Sequence, residues 1–125
     1  QACALTRPWN DAARDIARKL DVQRELFLVG VSDGVLMASA MAGYDGHRGW
    51  VNYLAVHPDW RRQGHGAALM GAVEVRLTAL GCPKLNLQVR TGNAAVLAFY
   101  RALGYLQDDV VSLGKRLIPD APPPR

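Results

Sequence analysis

The turn that decides the fold of this chain reads Arg61-Arg62-Gln63-Gly64-His65-Gly66. It lies between a predicted strand at residues 50–56 and a predicted helix at residues 64–80. The glycines lack side chains where a ligand could approach the backbone, and the first turn of the helix has unpaired N–H groups at the positive end of its dipole. With the preceding arginines, these features predict a cradle for a phosphate or pyrophosphate. The alternative is that the glycines only permit a tight turn, and these residues alone favour neither interpretation.

Two common nucleotide-binding motifs are excluded at this turn. A P-loop has four residues between its first glycine and a Gly-Lys-Ser/Thr sequence, and no such lysine is present here. The dinucleotide-binding fingerprint needs three glycines after the first strand of a parallel unit. Here the third glycine is missing and three predicted strands precede the turn. A cradle at this turn would therefore belong to another class of binding site.

The helix after the turn connects two strands that we expect to be parallel. Its apolar side chains form one stripe, which consists of Leu69, Val73, Leu77 and Leu80. Gly81 ends the helix, and residues 84–90 then alternate apolar and polar side chains as a strand does. A strand–helix–strand crossover of this length joins parallel strands. Residues 50–56 and 84–90 are therefore predicted to be parallel neighbours in the sheet.

The residues before this unit predict an antiparallel meander. Strands are expected at residues 26–31, 35–43 and 50–56, with turn signals at Ser32-Asp33-Gly34 and Tyr44-Asp45-Gly46 between them. A short amphipathic helix is expected at about residues 11–20, after a capping Asn10 or Asp11. The meander and the crossover unit together predict a mixed sheet with helices packed on it.

The residues after this unit predict one more helix and a return to strand. Thr91-Gly92-Asn93 caps a helix that ends at Gly104, and its apolar positions include Val96, Phe99 and Leu103. Residues 105–118 have strand character, either as one strand or as two short strands broken near Asp108. The predicted organisation is one α/β domain at residues 1–118, followed by a frayed proline-rich tail at residues 119–125.

Composition limits the class of protein. The 125 residues are 50% hydrophobic and 21% charged, which is typical of one soluble domain, and no apolar run approaches the length of a membrane span. The segment before Asn10 has no apolar core of a signal peptide. Cys3 and Cys82 are too few for a disulfide framework or a metal site, so a reducing cytoplasm is the expected compartment.

The net charge of +4 suits an anionic partner, either nucleic acid or a phosphorylated small molecule, but no dense basic cluster favours nucleic acid.

The motifs resemble those of the GNAT family, the Gcn5-related N-acetyltransferases. The turn at residues 61–66 fits that family's Arg/Gln-x-x-Gly-x-Gly/Ala motif, and Asn52-Tyr53-Leu54-Ala55-Val56-His57-Pro58 resembles the strand before it. Asn93-Ala94-Ala95, Phe99-Tyr100 and Leu103-Gly104-Tyr105 resemble the downstream helix. The resemblance extends from about Leu26 to Leu117, and Tyr44-Asp45-Gly46-His47-Arg48-Gly49 is similar to the small bacterial YpeA-type members. Family domains usually open with a further strand, which this sequence lacks, so the sheet edge at residues 26–31 should be exposed.

The resemblance implies binding of acetyl-CoA, with no metal, in a gap between the two parallel strands where they diverge. Backbone groups of Leu54, Ala55 and Val56 would pair with the pantetheine arm, and Asn93 would bond it from the following helix. The pyrophosphate would be held by backbone amides and two arginines, at Arg61, Arg62, Gln63, Gly64, His65, Gly66 and Ala67. An extended arm that carries amides suits an open strand edge, and a diphosphate suits a helix N-terminus.

The resemblance also implies which residues act as general acid and general base. Tyr100 matches the tyrosine that many members use as general acid toward the departing coenzyme A thiolate. Because Phe99 already falls on the apolar stripe, we expect Tyr100 to be functional rather than a core aromatic. A related branch, the ribosomal-protein alanine acetyltransferases, has glutamate at the position of Gln88, and a glutamine cannot serve as a base. The remaining candidates for a base are Tyr53, His47 or His57 through water, or none, and His57 before Pro58 is more typical of a structural turn residue.

The predicted activity is transfer of acetyl from acetyl-CoA to a primary amine by direct attack in a ternary complex. The acceptor could be an N-terminal amine, a lysine or a small amine. One alternative is a GNAT module that binds acetyl-CoA as a sensor without catalysis, and another is a nucleic-acid-binding α/β domain motivated by the pI of about 9.4. No membrane partner is expected, and the oligomeric state is left open between a monomer and a homodimer that uses the exposed sheet edge.

Overall fold

The computed structural model describes residue 19 and residues 22–119, which form a mixed four-stranded sheet with helices. The strands are Phe27–Ser32 (β1), Val35–Tyr44 (β2), Gly49–Val56 (β3) and Leu85–Leu87 (β4), and their order in the sheet is β1-β2-β3-β4. The helices are His65–Ala79 (α1) and Ala94–Ala102 (α2), with short 3-10 helices at Arg24–Leu26 and Pro58–Trp60. The helix predicted at residues 11–20 lies outside the described residues, apart from Lys19.

The predicted meander is confirmed. β1 pairs antiparallel with β2, and β2 pairs antiparallel with β3. The first turn uses Asp33 and Gly34, both with positive φ (50° and 77°), as the tight hairpin turns of twisted strands require. In the second loop, Asp45 Oδ1 accepts hydrogen bonds from the backbone amides of Arg48 and His47, both at 2.7 Å. These donors lower the pKa of the exposed Asp45 carboxyl and hold the loop in a compact turn.

The predicted crossover is confirmed, but β4 is shorter than predicted. β3 and β4 are parallel and share three residue pairs, which run from Gly49↔Leu85 to Val51↔Leu87. Beyond Val51 the described strands diverge. Residues 88–90 therefore do not form a strand, although the alternation of their side chains predicts one. Alternation reports only that side chains point to opposite sides, whereas a ladder also needs a partner within hydrogen-bonding distance.

The core lies between the sheet and α1. The stripe predicted for α1 is buried at Leu69, Val73 and Leu77. Leu80 is 49% exposed, contrary to the prediction, because α1 ends at Ala79 and Leu80 is already its C-cap. Opposite α1, β2 presents small buried side chains, which are Ala38, Ala40 and Ala42. Their small volume lets α1 lie close to the sheet.

Among the helices of the described residues, none is long and apolar enough to span a membrane.

The strand predicted at residues 105–118 is not observed. This stretch has no regular secondary structure in the described chain. Most of its large apolar side chains are exposed, and Leu113 reaches 91%. Residues with strand propensity form a strand only when an edge is available and the backbone reaches its register, which local sequence does not guarantee.

Candidate functional site

One edge of β3 is open along the stretch that the resemblance assigned to the pantetheine arm. Leu54, Ala55 and Val56 pair with Ala40, Ser39 and Ala38 of β2 on one side. On the other side, the ladder with β4 ends at Val51↔Leu87, so no described strand pairs with these three residues there. The divergence predicted for the two parallel strands is thus present at their C-terminal ends. An unpaired strand edge of this kind can accept an extended ligand that carries amide groups.

The turn after β3 is fixed to the end of that strand. Arg61 Nε donates to the carbonyl of Val56 at 3.2 Å, and Arg62 adopts a left-handed backbone conformation with φ of 63°. His57 Nδ1 accepts a hydrogen bond from the amide of Asp59 at 3.2 Å, and His57 is the N-cap of the 3-10 helix. This contact agrees with a structural role for His57 as a turn residue.

The N-terminus of α1 has no capping side chain. Gly64 is the N-cap residue, with φ of 81°, and its carbonyl accepts the first helical hydrogen bond from the amide of Ala68 at 3.0 Å. The amides of His65, Gly66 and Ala67 precede that bond and have no side-chain acceptor among the described residues. Uncapped amides at the positive end of a helix dipole are suited to an anion. A Cβ at Gly64 would meet no atom within 4 Å, so the backbone there is open to its surroundings.

The lack of a side chain has a different consequence at Gly66, which is packed inside the protein, than at Gly64, which faces open space. Gly66 is buried, and a Cβ there would lie 3.2 Å from Phe99 Cζ and 3.6 Å from Val56 Cγ2. Its small size therefore lets α1 pack closely on α2 and β3. The expectation that both glycines leave space toward a ligand holds in this geometry for Gly64 only. At Gly66 the missing side chain serves packing.

His65 is the first residue of α1, and one of its ring nitrogens is buried without a partner. Nε2 has no hydrogen-bond partner among the described residues. The ring packs edge-on against Trp60, with centroids 5.8 Å apart and an interplanar angle of 74°. The ring therefore contributes packing at the turn, while the backbone amide of His65 belongs to the uncapped first turn.

Asn93 caps the second helix. Its Oδ1 accepts a hydrogen bond from the amide of Val96 at 3.2 Å, which satisfies one of the free amides of α2. The side-chain oxygen of Asn93 is thus engaged inside the protein, whereas its Nδ2 group can still donate to a ligand.

Tyr100 is the buried residue of α2. It is 8% exposed and packs edge-on against Phe99 and Tyr105, with ring centroids at 5.0 and 5.6 Å. The interpretation that Phe99 takes the core position and leaves Tyr100 outside it is therefore wrong. Helix α2 has both aromatic residues turned toward the protein, and Tyr100 is the deeper one. Burial raises the pKa of the Tyr100 hydroxyl, so the hydroxyl keeps its proton at neutral pH.

A wide cleft of about 2100 Å³ brings part of the predicted site together. It is lined by the first half of β3, by β4 and the residues after it, by α2 and by the segment that follows α2. Tyr53, Gln88, Asn93 and Tyr100 all lie on this lining. The open edge at residues 54–56 and the turn at residues 61–67 lie outside it and form a second group. The two groups meet through Gly66, which packs against both Phe99 and Val56.

Several polar contacts of the cleft were not foreseen from the sequence. Gln88 Nε2 donates to Ser112 Oγ, and Lys84 Nζ forms an ion pair with Asp108 at 2.8 Å. Lys19 also lines the cleft although it is only 8% exposed, and burial lowers the pKa of its amine while the charge of Glu25 raises it. Gln88 and Ser112, like Lys84 and Asp108, are 24 residues apart in the chain, so no local motif connects either pair. Within residues 19 and 22–119, no group of His, Cys, Asp and Glu side chains is arranged to hold a metal ion.

The chain belongs to the GNAT acetyltransferase family, because residues 1–105 match the model of the acetyltransferase (GNAT) family. An acetyltransferase of Yersinia pestis (strain Pestoides F) is 52% identical over 118 residues, which span 94% of this chain and 84% of the relative. An acetyltransferase of Sodalis glossinidius is 52% identical over 121 residues, which span 96% and 85% of the two chains. The protein is accordingly an acyltransferase of the GNAT N-acetyltransferase class.

Solved structures support the same fold. Ard1 from Thermoplasma volcanium superposes with a TM-score of 0.75 at 25% identity, over 82% of this chain and 69% of that one. The ribosomal-protein-S18-alanine N-acetyltransferase of Escherichia coli superposes with a TM-score of 0.69 at 29% identity, over 83% and 64% of the two chains. The mixed sheet with diverging parallel strands is therefore the GNAT arrangement.

Proposed function

We propose that this protein transfers an acetyl group from acetyl-CoA to a primary amine by direct attack in a ternary complex. Two observations carry the proposal together: the ladder between β3 and β4 ends at Val51, and the N-terminus of α1, which follows β3 along the chain, is uncapped. An open strand edge and a free set of helix amides are thus placed at one end of the same strand. These two features match the two chemical parts of coenzyme A, an amide-bearing arm and a diphosphate.

The residues present fit this ligand. The backbone of Leu54, Ala55 and Val56 would hold the arm, and Asn93 would donate its side-chain amide hydrogen to it. The diphosphate would be held by the turn and the first helical residues, at Arg61, Arg62, Gln63, Gly64, His65, Gly66 and Ala67. Acetyl-CoA supplies the activated thioester, and the protein supplies position and protons.

Tyr100 is proposed as the general acid. Its hydroxyl stays protonated at neutral pH because burial raises its pKa, and it borders the same cleft as Asn93. A protonated hydroxyl in a cleft can donate to a thiolate as the thiolate departs. A phenol that ionised near neutral pH would lose this capacity.

The acceptor amine must lose a proton, and no carboxylate occupies the position that a related branch uses for this purpose. Gln88 stands there, and its amide nitrogen donates to Ser112. An amide has no useful basicity, so Gln88 can orient an acceptor but cannot deprotonate it. An amine of low pKa, such as an N-terminal amine near 8, arrives partly unprotonated at neutral pH and needs the least help.

The test is a calorimetric titration with acetyl-CoA followed by release of free thiol in the presence of acceptors. We expect micromolar binding, typical of enzyme substrates, and thiol release with an N-terminal peptide amine. S-acetylpantetheine keeps the thioester and the amide-bearing arm but lacks the diphosphate and the adenosine, and it should bind much more weakly. Tight binding without thiol release on peptides, lysine and polyamines would favour a sensor module instead. Absence of acetyl-CoA binding would reject both.

A further inference from the structure

Lys19 is a buried amine of the cleft that the proposed mechanism does not use. Its side chain lines the cleft although the residue is only 8% exposed. Gln23 beside it has both atoms of its side-chain amide bonded to the backbone of Tyr44, at 2.6 and 2.9 Å. Within the described part of the chain, no hydrogen bond or ion pair holds the Lys19 amine, and Glu25 acts on it only through its charge. A buried charge without a partner is costly, so this amine is suited to an anionic group that enters the cleft.

The strand register places Lys19 on the sheet face opposite α1. Gly43 of β2 pairs with Trp50 of β3, and Trp50 pairs with Asn86 of β4. A Cβ at Gly43 would lie 3.5 Å from Lys19 Nζ, whereas a Cβ at Gly49, the neighbour of Trp50, would lie 3.0 Å from a side-chain atom of α1. Because neighbouring residues of a strand point to opposite faces, Lys19, Trp50 and Asn86 share the face that α1 does not cover.

The proposed general acid comes from the other face. Tyr100 belongs to α2, and α2 packs against α1 where Phe99 approaches Gly66. The gap between β3 and β4 begins beyond Val51 and separates the two faces. An acceptor that attacks a thioester in this gap can therefore approach from the Lys19 face without displacing either helix.

The polar groups of the cleft favour an acceptor with negative charge. Every carboxylate on the lining accepts a hydrogen bond from within the protein, and these carboxylates are Asp45, Glu74 and Asp108. Three cations on the same lining have no side-chain partner among the residues that the structure describes, and they are Lys19, Arg90 and Arg101. A polyamine would thus meet unpaired cations and no free carboxylate, whereas an acidic acceptor would find donors.

We propose that Lys19 binds a carboxylate of the acceptor, so that the acceptors of this enzyme are amines with a carboxylate close to the reacting nitrogen. This inference rests on the proposed acetyl transfer and names the class of its acceptor. A bound carboxylate supplies the partner that the buried amine lacks, and the exposed Arg90 and Arg101 add attraction at longer range. The diphosphate of acetyl-CoA does not need this amine, because the turn at residues 61–67 lies outside the cleft lining.

Three acceptor peptides test the proposal on the intact chain. They are C-terminal amides of one sequence that differ only at the second and third positions, which hold aspartate, asparagine or lysine. With saturating acetyl-CoA, thiol release should give a kcat/KM roughly 10–100-fold higher for the aspartate peptide than for the asparagine peptide, the range of a hydrogen bond to a charged group. The lysine peptide should be the poorest acceptor. Equal values for the aspartate and asparagine peptides would overturn the proposal.

Variants of Lys19 separate its charge from its packing. Lys19→Met keeps an unbranched apolar side chain and should lower kcat/KM for the aspartate peptide to that of the asparagine peptide, through a higher KM. The asparagine peptide and the affinity for acetyl-CoA should be unaffected, and Lys19→Arg should retain the preference. Lys115→Met is the matched control, because Lys115 is exposed and does not line the cleft. A full preference in Lys19→Met, or weaker acetyl-CoA binding by that variant, would reject the role of Lys19.

A binding measurement distinguishes failure of this inference from failure of acetyl transfer. Calorimetric titration of each peptide into the protein saturated with coenzyme A, which has no acetyl group to transfer, should show the same preference for aspartate. Preferential binding without thiol release from acetyl-CoA would reject the transfer and support the carboxylate contact. Thiol release at equal rates with all three peptides would support the transfer and reject the contact. No preference in either measurement would overturn the inference.

Discussion

Gly64 and Gly66 lie two residues apart in one motif, yet the structure gives them different physical roles. Gly64 has a positive φ and open surroundings, whereas Gly66 is packed against Phe99. A methyl group at Gly64 would enter open space at the N-cap of α1, directly before the uncapped amides. The conformational strain of a non-glycine residue at this φ is about 1–2 kcal/mol.

Gly64→Ala should therefore weaken acetyl-CoA binding more than strain alone explains, and isothermal titration measures this. We expect a dissociation constant at least roughly tenfold higher, which corresponds to about 1.4 kcal/mol. Gly34→Ala is the matched control, because Gly34 also has positive φ and no atom within 4 Å of its Cβ position, but lies in the first hairpin. Equal affinity for the Gly64 variant, the control and the parent would contradict the cradle.

The Tyr100 hydroxyl is a second feature whose role can be isolated at one residue. Tyr100→Phe removes one oxygen from a side chain that is 8% exposed and leaves its packing against Phe99 and Tyr105 intact. We expect unchanged acetyl-CoA affinity and a turnover rate lower by about 10²–10⁴-fold. Thiol-release kinetics measure the rate, and titration measures the affinity. Equal rates for variant and parent on every productive acceptor would remove Tyr100 from the mechanism.

At the level of the helices, the packing of α1 against α2 depends on the absence of a side chain at Gly66. Gly66→Ala would place a methyl group 3.2 Å from Phe99 Cζ, and the Phe99 ring is itself packed against Tyr100. We expect this crowding to exceed the gain in helix propensity and to lower the free energy of unfolding by about 1 kcal/mol. Gly71 is the matched control in the same helix, because a Cβ there meets no atom within 4 Å. Gly71→Ala should stabilise the protein by about 0.5–1 kcal/mol through helix propensity. Urea denaturation measures both changes, and similar effects of the two variants would refute the packing role.

A second link joins α1 to the end of α2. Tyr105 Oη donates to Glu74 Oε2 at 2.6 Å, and burial together with this hydrogen bond raises the pKa of Tyr105 well above its usual range. Because the folded-state pKa is raised, this contribution is present in full below the unfolded value near 10 and is lost as pH rises above it. We expect Tyr105→Phe to destabilise the protein by about 1 kcal/mol at pH 7, since Glu74 is exposed and its bond is partly screened.

The pH dependence of that link supplies its test. The stability difference between the parent and Tyr105→Phe should shrink as pH rises above about 10, and urea denaturation at several pH values measures it. A difference that is independent of pH up to 12 would show that lost packing, rather than the hydrogen bond, causes the destabilisation.

For the whole molecule, a ligand that joins β3, the turn after it and both helices should stabilise the fold globally. At about one hundred times its dissociation constant, acetyl-CoA should add about 2.7 kcal/mol to the free energy of unfolding. For a domain of this size, the melting temperature should rise by roughly 8–10 °C, which differential scanning fluorimetry measures. S-acetylpantetheine at the same concentration should give a much smaller shift. A shift of equal size with both compounds would place the main binding contribution away from the diphosphate cradle.

The sequence by itself determined the order of the elements between residues 26 and 104, the meander, the parallel crossover and the family, because these follow from local signals. The Asp33-Gly34 turn, the stripe at Leu69, Val73 and Leu77, and the cap at Asn93 are each encoded within a few neighbouring residues. The motif at residues 61–66 likewise located the strand-to-helix turn correctly. Such features depend on backbone preferences and side-chain periodicity, which a short stretch of chain expresses without its partners.

Only the tertiary structure decided where β4 ends, which of Phe99 and Tyr100 is deeper, and what the missing side chain of Gly66 allows. It also decided that residues 105–118 do not join the sheet and that Gln88 contacts Ser112. Each of these outcomes depends on the distance between groups that are far apart in the chain. A local pattern specifies which side chains could be buried or paired, whereas the packing of sheet and helices determines whether a partner lies within reach.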